Sequence, residues 1–325
     1  MKNNNKKLIA VTMGDPSGIS TEIIIKSWKK TAHDFFVIHD PDYILKVANK
    51  LKLKVKIKVI SNPEEAHGAF KKYLPVLPIE IDKSTKLGKP NYNNSKNIFH
   101  SIDLAVKLAK KKKVSGIVTS PISKEILSKF KKNFTGHTDY LAKLDKKKNF
   151  GMMLLNKELK VVPFTTHIPL KNVHKYIKSK PLESAIKLLN SSLKKNFNIK
   201  KPKIAVTGLN PHSGDGGLLG KEEQKIILPV IKKTRKTGIS ISGPLSPDSA
   251  FQKKNLKSYD AFLCMYHDQA LIPIKTIDFE NTVNYTLGLS FVRTSPDHGT
   301  GYDIANKSVA SERSLVSAIN YAAKI

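Results

Sequence analysis

Cysteine is almost missing from this chain. Cys264 is the only one in 325 residues. It lies inside the apolar run Ala261-Phe262-Leu263-Cys264, so an internal disulfide is excluded and a cytoplasmic location is expected. Long apolar runs are missing too. None approaches the roughly 18 residues that a membrane span needs, so no membrane partner is expected. The basic start, Met1-Lys2-Asn3-Asn4-Asn5-Lys6-Lys7, leads into a strand and a turn instead of a signal-peptide core. Arginine is scarce: Arg235, Arg293 and Arg313 are the only three. The formal charge is nevertheless +31, carried by lysines spread over the whole chain, as at Lys110 to Lys113 and Lys146 to Lys148. Arginine is the residue suited to bidentate phosphate and base contacts, and no aromatic-basic motif is present. A nucleic-acid partner is therefore not expected; steep salt dependence of RNA binding would be its signature. The excess charge still favours anionic small molecules at long range. Two chemical signatures are absent as well. Ser213-Gly214-Asp215-Gly216-Gly217 fails the GxGxxG pattern, which argues against a Rossmann domain, and no HExxH motif occurs.

What is present is an alternation of buried strands and amphipathic helices, the mark of an α/β protein. Residues 8–11, 35–38 and 115–119 read as strands. Leu53, Val55, Ile57 and Val59 alternate with lysines, which predicts a strand with one wet face over 53–60. Residues 96–112, 183–197 and 311–324 carry helical spacing, and 222–236 reads as a helix kinked at Pro229. Segments 151–155 and 160–164 read as a hairpin. The first turn, Thr12-Met13-Gly14-Asp15-Pro16-Ser17-Gly18, precedes a helix that Ser20 or Thr21 can cap; such a turn can cradle an anion.

The chemistry gathers where strands stop. Val161-Val162-Pro163-Phe164 leads to His167, Ile204-Ala205-Val206 leads to His212, and Ala261-Phe262-Leu263-Cys264 leads to His267. Ligands in open α/β sheets bind at carboxyl ends of strands. If these strands share one sheet edge, three neutral imidazoles can converge and leave open positions on a divalent metal. Taken alone, a histidine after a strand is more often a hydrogen-bonded loop residue than a ligand. Asp248 lies in a loop, and Asp268 adjoins His267. Arg293, at the end of an apolar run, suits a phosphate, as does Lys275 beyond His267.

Five motifs then occur in one order: Thr135-Gly136-His137-Thr138, Thr166-His167-Ile168-Pro169-Leu170, Gly208-Leu209-Asn210-Pro211-His212, Met265-Tyr266-His267-Asp268-Gln269, and Arg293-Thr294-Ser295 with Asp297-His298-Gly299-Thr300. In this the chain resembles the 4-hydroxythreonine-4-phosphate dehydrogenase (PdxA) family over nearly its whole length. The resemblance implies two α/β/α domains with a cleft between them, similar to isocitrate and isopropylmalate dehydrogenases and not Rossmann. We expect residues 1–125 with 300–325 to form the first domain, and 126–299 the second. The resemblance further implies a homodimer whose metal site is shared, with His167 and His212 from one subunit and His267 from the other. It implies His137, Thr138, Lys275, Asn284 and Arg293 as substrate contacts. Asp248, Asp268 and Lys275 are the candidates for catalytic roles, in orienting a ligand or moving a proton. The cofactors implied are NAD (or NADP) and a divalent metal, with zinc, magnesium or cobalt all admissible. The implied reaction oxidises and decarboxylates 4-phosphooxy-L-threonine to 3-amino-2-oxopropyl phosphate on the way to pyridoxal 5'-phosphate. Family paralogues that oxidise D-threonate or D-erythronate 4-phosphate are the alternative. One motif departs from the family: Gly-Ile-Gly-Pro-Glu is replaced by Gly18-Ile19-Ser20-Thr21-Glu22, which leaves open any close approach of a ligand to that turn.

Overall fold

The computed structural model describes residues 7–325; the basic start lies mostly outside the described residues. Its strands are β1 (Ile9–Thr12), β2 (Phe35–His39), β3 (Ile57–Val59), β4 (Leu74–Pro78), β5 (Gly116–Val118), β6 (Gly151–Leu155), β7 (Lys160–Pro163), β8 (Lys203–Thr207), β9 (Ser240–Leu245), β10 (Ala261–Cys264), β11 (Val283–Leu287) and β12 (Val292–Pro296). The chain divides into two compact units, 1–147 with 289–325, and 148–288. This division differs from the expected one at both joints. Strand β12 pairs in parallel with β5, Arg293 opposite Ile117, which draws 289–299 into the first unit. The helix His137–Leu144 stays there too, where the Tyr140 hydroxyl donates to Asp103 at 2.7 Å.

In the first unit the strand order is β3-β4-β2-β1-β5-β12, all parallel. Parallel strands need cover on both faces, and β1 and β2 are buried along their whole length. Strand β3 is shorter than its alternation predicts. Leu53 and Val55 precede it and line a concavity of about 720 Å³ with Trp28 and Tyr73, apart from every candidate site residue.

In the first turn Ser20 and Thr21 do not cap the helix Ser20–Trp28; Ile19 stands at its N-cap without a side-chain bond. The Ser20 hydroxyl donates to Pro121 O at 3.1 Å, and Thr21 Oγ1 lies 3.0 Å from His39 Nε2. Long-range partners have claimed both hydroxyls. The turn is no anion cradle either. Its backbone N–H groups donate to Pro121 O from Asp15, to Asp15 O from Gly18 and to Thr300 O from Ile19. Gly18 is needed because a Cβ there would lie 2.4 Å from Thr300 O. The close approach at this turn is the chain's own.

In the second unit the order is β11-β6-β7-β10-β8-β9. Strands β6 and β7 form the expected antiparallel hairpin, and β7, β10, β8 and β9 run parallel. Their core is apolar: Leu154, Val161, Ala205, Phe262 and Ile274 pack together. The predicted kinked helix is a π-helical turn, Glu223–Ile227, followed by the α-helix Leu228–Arg235, with Pro229 in its first turn. Pro273 sits inside the helix His267–Ile277 that follows β10.

Candidate active site

Four neighbouring parallel strands in the second unit release their chains at one sheet edge. Just beyond β7, β10, β8 and β9 come His167, His267, His212 and Asp248 respectively. Strand order, with β10 between β7 and β8, thus puts the three histidines at one edge of the sheet. The imidazoles of His167 and His267 are neighbours, with ring centroids 5.9 Å apart. The resemblance put these two on different subunits; here one chain brings them together. Among the described residues no three His, Cys, Asp or Glu side chains of a single chain form a metal-holding group, so His212 is not joined to that pair within one chain.

His267 opens its helix, and its Nδ1 is 2.7 Å from Asp268 Oδ1. A proton on Nδ1, held by the carboxylate, leaves the Nε2 lone pair for a Lewis acid. This donor set fits a divalent metal. Asp248 is fully exposed, and its carboxyl is held below the usual carboxylate range by the Ser246 hydroxyl, which donates at 2.5 Å; the charge of nearby His212 acts in the same direction. Lys275 lies on the helix of His267, about 12 Å further along its axis, with Nζ 5.3 Å from the centre of the Phe279 ring. Asn284 is on β11, and its Oδ1 is buried without a hydrogen-bond partner.

Two of the three histidines sit on left-handed backbone: His167 at φ +54° and His212 at φ +51°. The turn from His212 to Gly216 is left-handed at every residue. Its non-glycine members, His212, Ser213 and Asp215, together cost roughly 3–6 kcal/mol. Strain of this kind persists only where the surroundings impose it, and it clusters at functional sites.

Two residues brace the strand ends that lead to these histidines, and sequence reasoning assigned neither. Glu223 is buried, and its Oε1 accepts from the backbone N–H of Leu209 at 2.7 Å and of Asn210 at 2.8 Å. Gln269, quoted only as the end of a motif, ties two strand ends together. Its Oε1 accepts from Thr207 Oγ1 and Met265 N, both at 2.6 Å, and its Nε2 donates to Gly208 O at 2.8 Å. No local pattern announces Glu223. Gln269 was legible only as a polar residue one turn into a helix that begins at a candidate ligand.

In the first unit, parallel pairing of β5 with β12 sets Arg293 beside Thr119. Its Nε and Nη2 donate to Thr119 Oγ1 at 3.0 and 2.6 Å. Arg293 is 2% exposed, and burial pulls its guanidinium down to about 9, still cationic at neutral pH. His137 opens the helix His137–Leu144, with Thr138 in the same turn, and its Nε2 is buried without a hydrogen-bond partner. Burial, then the charges of Arg293 and Lys124, hold this imidazole well below the ordinary histidine value, so it is neutral at pH 7. Lys124 comes close because Gly136 has no side chain: a Cβ there would lie 3.1 Å from Lys124 Cε. A buried guanidinium and a lysine, both acting on an imidazole with an unfilled nitrogen, are an arrangement for an anion.

Known proteins resemble this chain over nearly its whole length. The sequence model described as "Pyridoxal phosphate biosynthetic protein PdxA" matches residues 31–322. The 4-hydroxythreonine-4-phosphate dehydrogenase of a Sulfurihydrogenibium species is 43% identical over 320 residues, covering 97% of each chain. That of Aquifex aeolicus is 41% identical, again covering 97% of each. The crystal structure of 4-hydroxythreonine-4-phosphate dehydrogenase from Klebsiella pneumoniae superposes with a TM-score of 0.87 at 33% identity, over 97% of this chain and 98% of that one. A terephthalate 1,2-cis-dihydrodiol dehydrogenase from Burkholderia xenovorans, at 22% identity and a TM-score of 0.66, shares the fold. Strand-end histidines, the buried Arg293 and full-length similarity place this chain in the pyridoxal phosphate biosynthetic protein PdxA family.

Proposed function

We propose that this protein is a 4-hydroxythreonine-4-phosphate dehydrogenase, which oxidises 4-phosphooxy-L-threonine with NAD in the synthesis of pyridoxal 5'-phosphate. The observation that carries the reading is the grouping of His167, His212, His267 and Asp248 at one edge of four parallel strands, in a chain 43% identical to a relative of that name.

His167, His212 and His267 would hold a divalent metal; zinc, cobalt and magnesium all remain candidates. When bound, the metal supplies Lewis-acid polarisation of the substrate hydroxyl and of the ketone that replaces it. The chain's own groups do the rest. Asp268 holds His267 with Nε2 presented. Asp248, kept ionised beside His212, is placed to accept a proton. Arg293 and His137 bind the phosphorylated substrate, the first as a charged fork and the second as a neutral imidazole. Thr138, Asn284 and Lys275 complete the contacts, and Lys275 is also a candidate for moving a proton. The unfilled Nε2 of His137 and Oδ1 of Asn284 support this, since buried polar atoms ordinarily have partners.

A homodimer is part of the proposal. The second unit leaves large apolar residues exposed: Leu170 at 71%, Leu218 at 85%, Ile272 at 65% and Phe279 at 64%. Several ride on the segments that carry the histidines, and a second copy would cover them. A cytoplasmic location is inferred from the lone buried thiol of Cys264. Among the described residues no helix is long and apolar enough to cross a membrane.

The test is NADH absorbance with 4-phosphooxy-L-threonine beside D-threonate 4-phosphate, each with and without a chelator. Turnover of the amino substrate, abolished by chelator and restored by a divalent ion, is expected. Turnover of the sugar acid alone would move the enzyme to another pathway.

A further inference from the structure

We propose that Glu223 is a positioning residue: its buried carboxylate holds the left-handed turn that carries His212 and thereby sets the metal affinity of the histidine site. The inference rests on the reading that His212 is a ligand.

The geometry is specific. Glu223 is 3% exposed and begins the π-helical turn Glu223–Ile227. Such turns are rare and concentrate at functional sites, because the extra residue re-aims the side chains on either side. Here it directs a carboxylate into the concave side of the loop after β8. Oε1 receives the backbone N–H groups of Leu209 and Asn210, and Oε2 receives Asn210 Nδ2 at 2.9 Å. The loop backbone closes around these oxygens. A Cβ on Gly208 would lie 3.1 Å from Oε1, and one on Gly214 would lie 2.8 Å from Oε2. Gly214 at φ +87° belongs to the left-handed turn itself.

The chemistry calls for a charge, not mere filling. Three N–H donors converge on one side chain, and a carboxylate can accept all three. Glutamine offers one acceptor oxygen and turns an NH₂ group toward a donor. A buried carboxylate is tolerated only when satisfied in this way. Without it, Leu209 and Asn210, which lead into the turn at His212 to Gly216, lose their anchor, and the turn relaxes toward ordinary backbone, carrying the His212 imidazole with it. Groups hydrogen-bonded directly to a ligand typically change metal affinity ten- to a hundredfold; Glu223 acts through the backbone and is expected at the lower end of that range.

The experiment strips the full-length protein with chelator and titrates it with Co²⁺ alone. Calorimetry gives Kd, the visible absorption of bound Co²⁺ reports coordination, and urea unfolding reports stability. Glu223→Gln is expected to weaken Co²⁺ binding at least tenfold and to change the visible band. Ile186→Val, a buried change in the helix Ser179–Asn196, should lower stability with Kd unchanged. If Glu223→Gln does not fold, Asn210→Ala takes its place and should weaken binding at least threefold. Binding within twofold of the parent in the folded variant, or equal loss in Ile186→Val, would overturn the role of Glu223. No Co²⁺ binding by the parent, or parent-like binding by His212→Ala, would instead remove the metal reading beneath it.

Discussion

Replacing Gln269 with leucine tests whether the strand ends are braced as a unit. The side chain is 7% exposed and makes three hydrogen bonds to two different strand ends. Leucine has similar volume and keeps the helix, so the loss is confined to those bonds. The Thr207 hydroxyl retains an alternative in Leu263 O at 3.5 Å. Met265 N and Gly208 O have no such recourse, and each buried group left unsatisfied costs about 1–3 kcal/mol. The expected loss of stability is therefore about 2–6 kcal/mol, read as a lower urea midpoint at unchanged m-value. Gly208 leads to His212 and Met265 leads to His267. The same change should weaken divalent-metal binding by roughly one to two orders of magnitude, measured where the variant is still folded. A variant within 0.5 kcal/mol of the parent, by the ordinary scatter of surface changes, that also binds metal normally would refute the brace.

Arg293→Lys keeps a charge but removes the two bonds to Thr119; kcat/KM for the phosphorylated substrate should fall about 10- to 100-fold, at about 1.4 kcal/mol per decade, and an unchanged value would exclude a phosphate role. Asp268→Asn removes the carboxylate from His267 Nδ1; metal affinity should drop about tenfold, with little change in stability because Asp268 is 71% exposed. His39 makes stability fall in acid. Its ring is fully buried, Nδ1 accepts from Asp40 N and Nε2 faces Thr21, and burial lowers its value to about 4. Below the unfolded value near 6.5 the unfolded chain takes a proton that the native chain refuses. Stability should therefore decline between pH 6.5 and 4 by up to about 3 kcal/mol, and His39→Gln should flatten that part of the curve in urea titrations at stepped pH.

Much of this site was legible because it depends on short-range signals. Ala261-Phe262-Leu263-Cys264 is apolar throughout and becomes a fully buried strand, and the histidine after it falls at the carboxyl edge that parallel topology dictates. The same logic held at β7 and β8. What escaped the sequence depends on contacts far apart in the chain. Ser20 and Thr21 looked like caps, but their hydroxyls found Pro121 and His39. Residues 289–299 looked continuous with the second domain until β12 was seen to pair with β5. Nothing in the chain before the turn at His212 announced its anchor: the carboxylate that holds the backbone of Leu209 and Asn210 comes from a helix beyond the turn. The π-helical turn that delivers Glu223 has no residue signature apart from the nearby Pro229.

The central claim is that His167, His212 and His267, brought to one sheet edge in each chain and completed by a second copy, hold one metal centre. Anomalous diffraction from crystals soaked in Zn²⁺, collected on both sides of the zinc edge, tests it most directly. A single strong peak per chain, within about 2.2 Å of imidazole nitrogens from His167, His212 and His267, is the predicted result. A peak held by other residues, or none at saturating zinc, would contradict it.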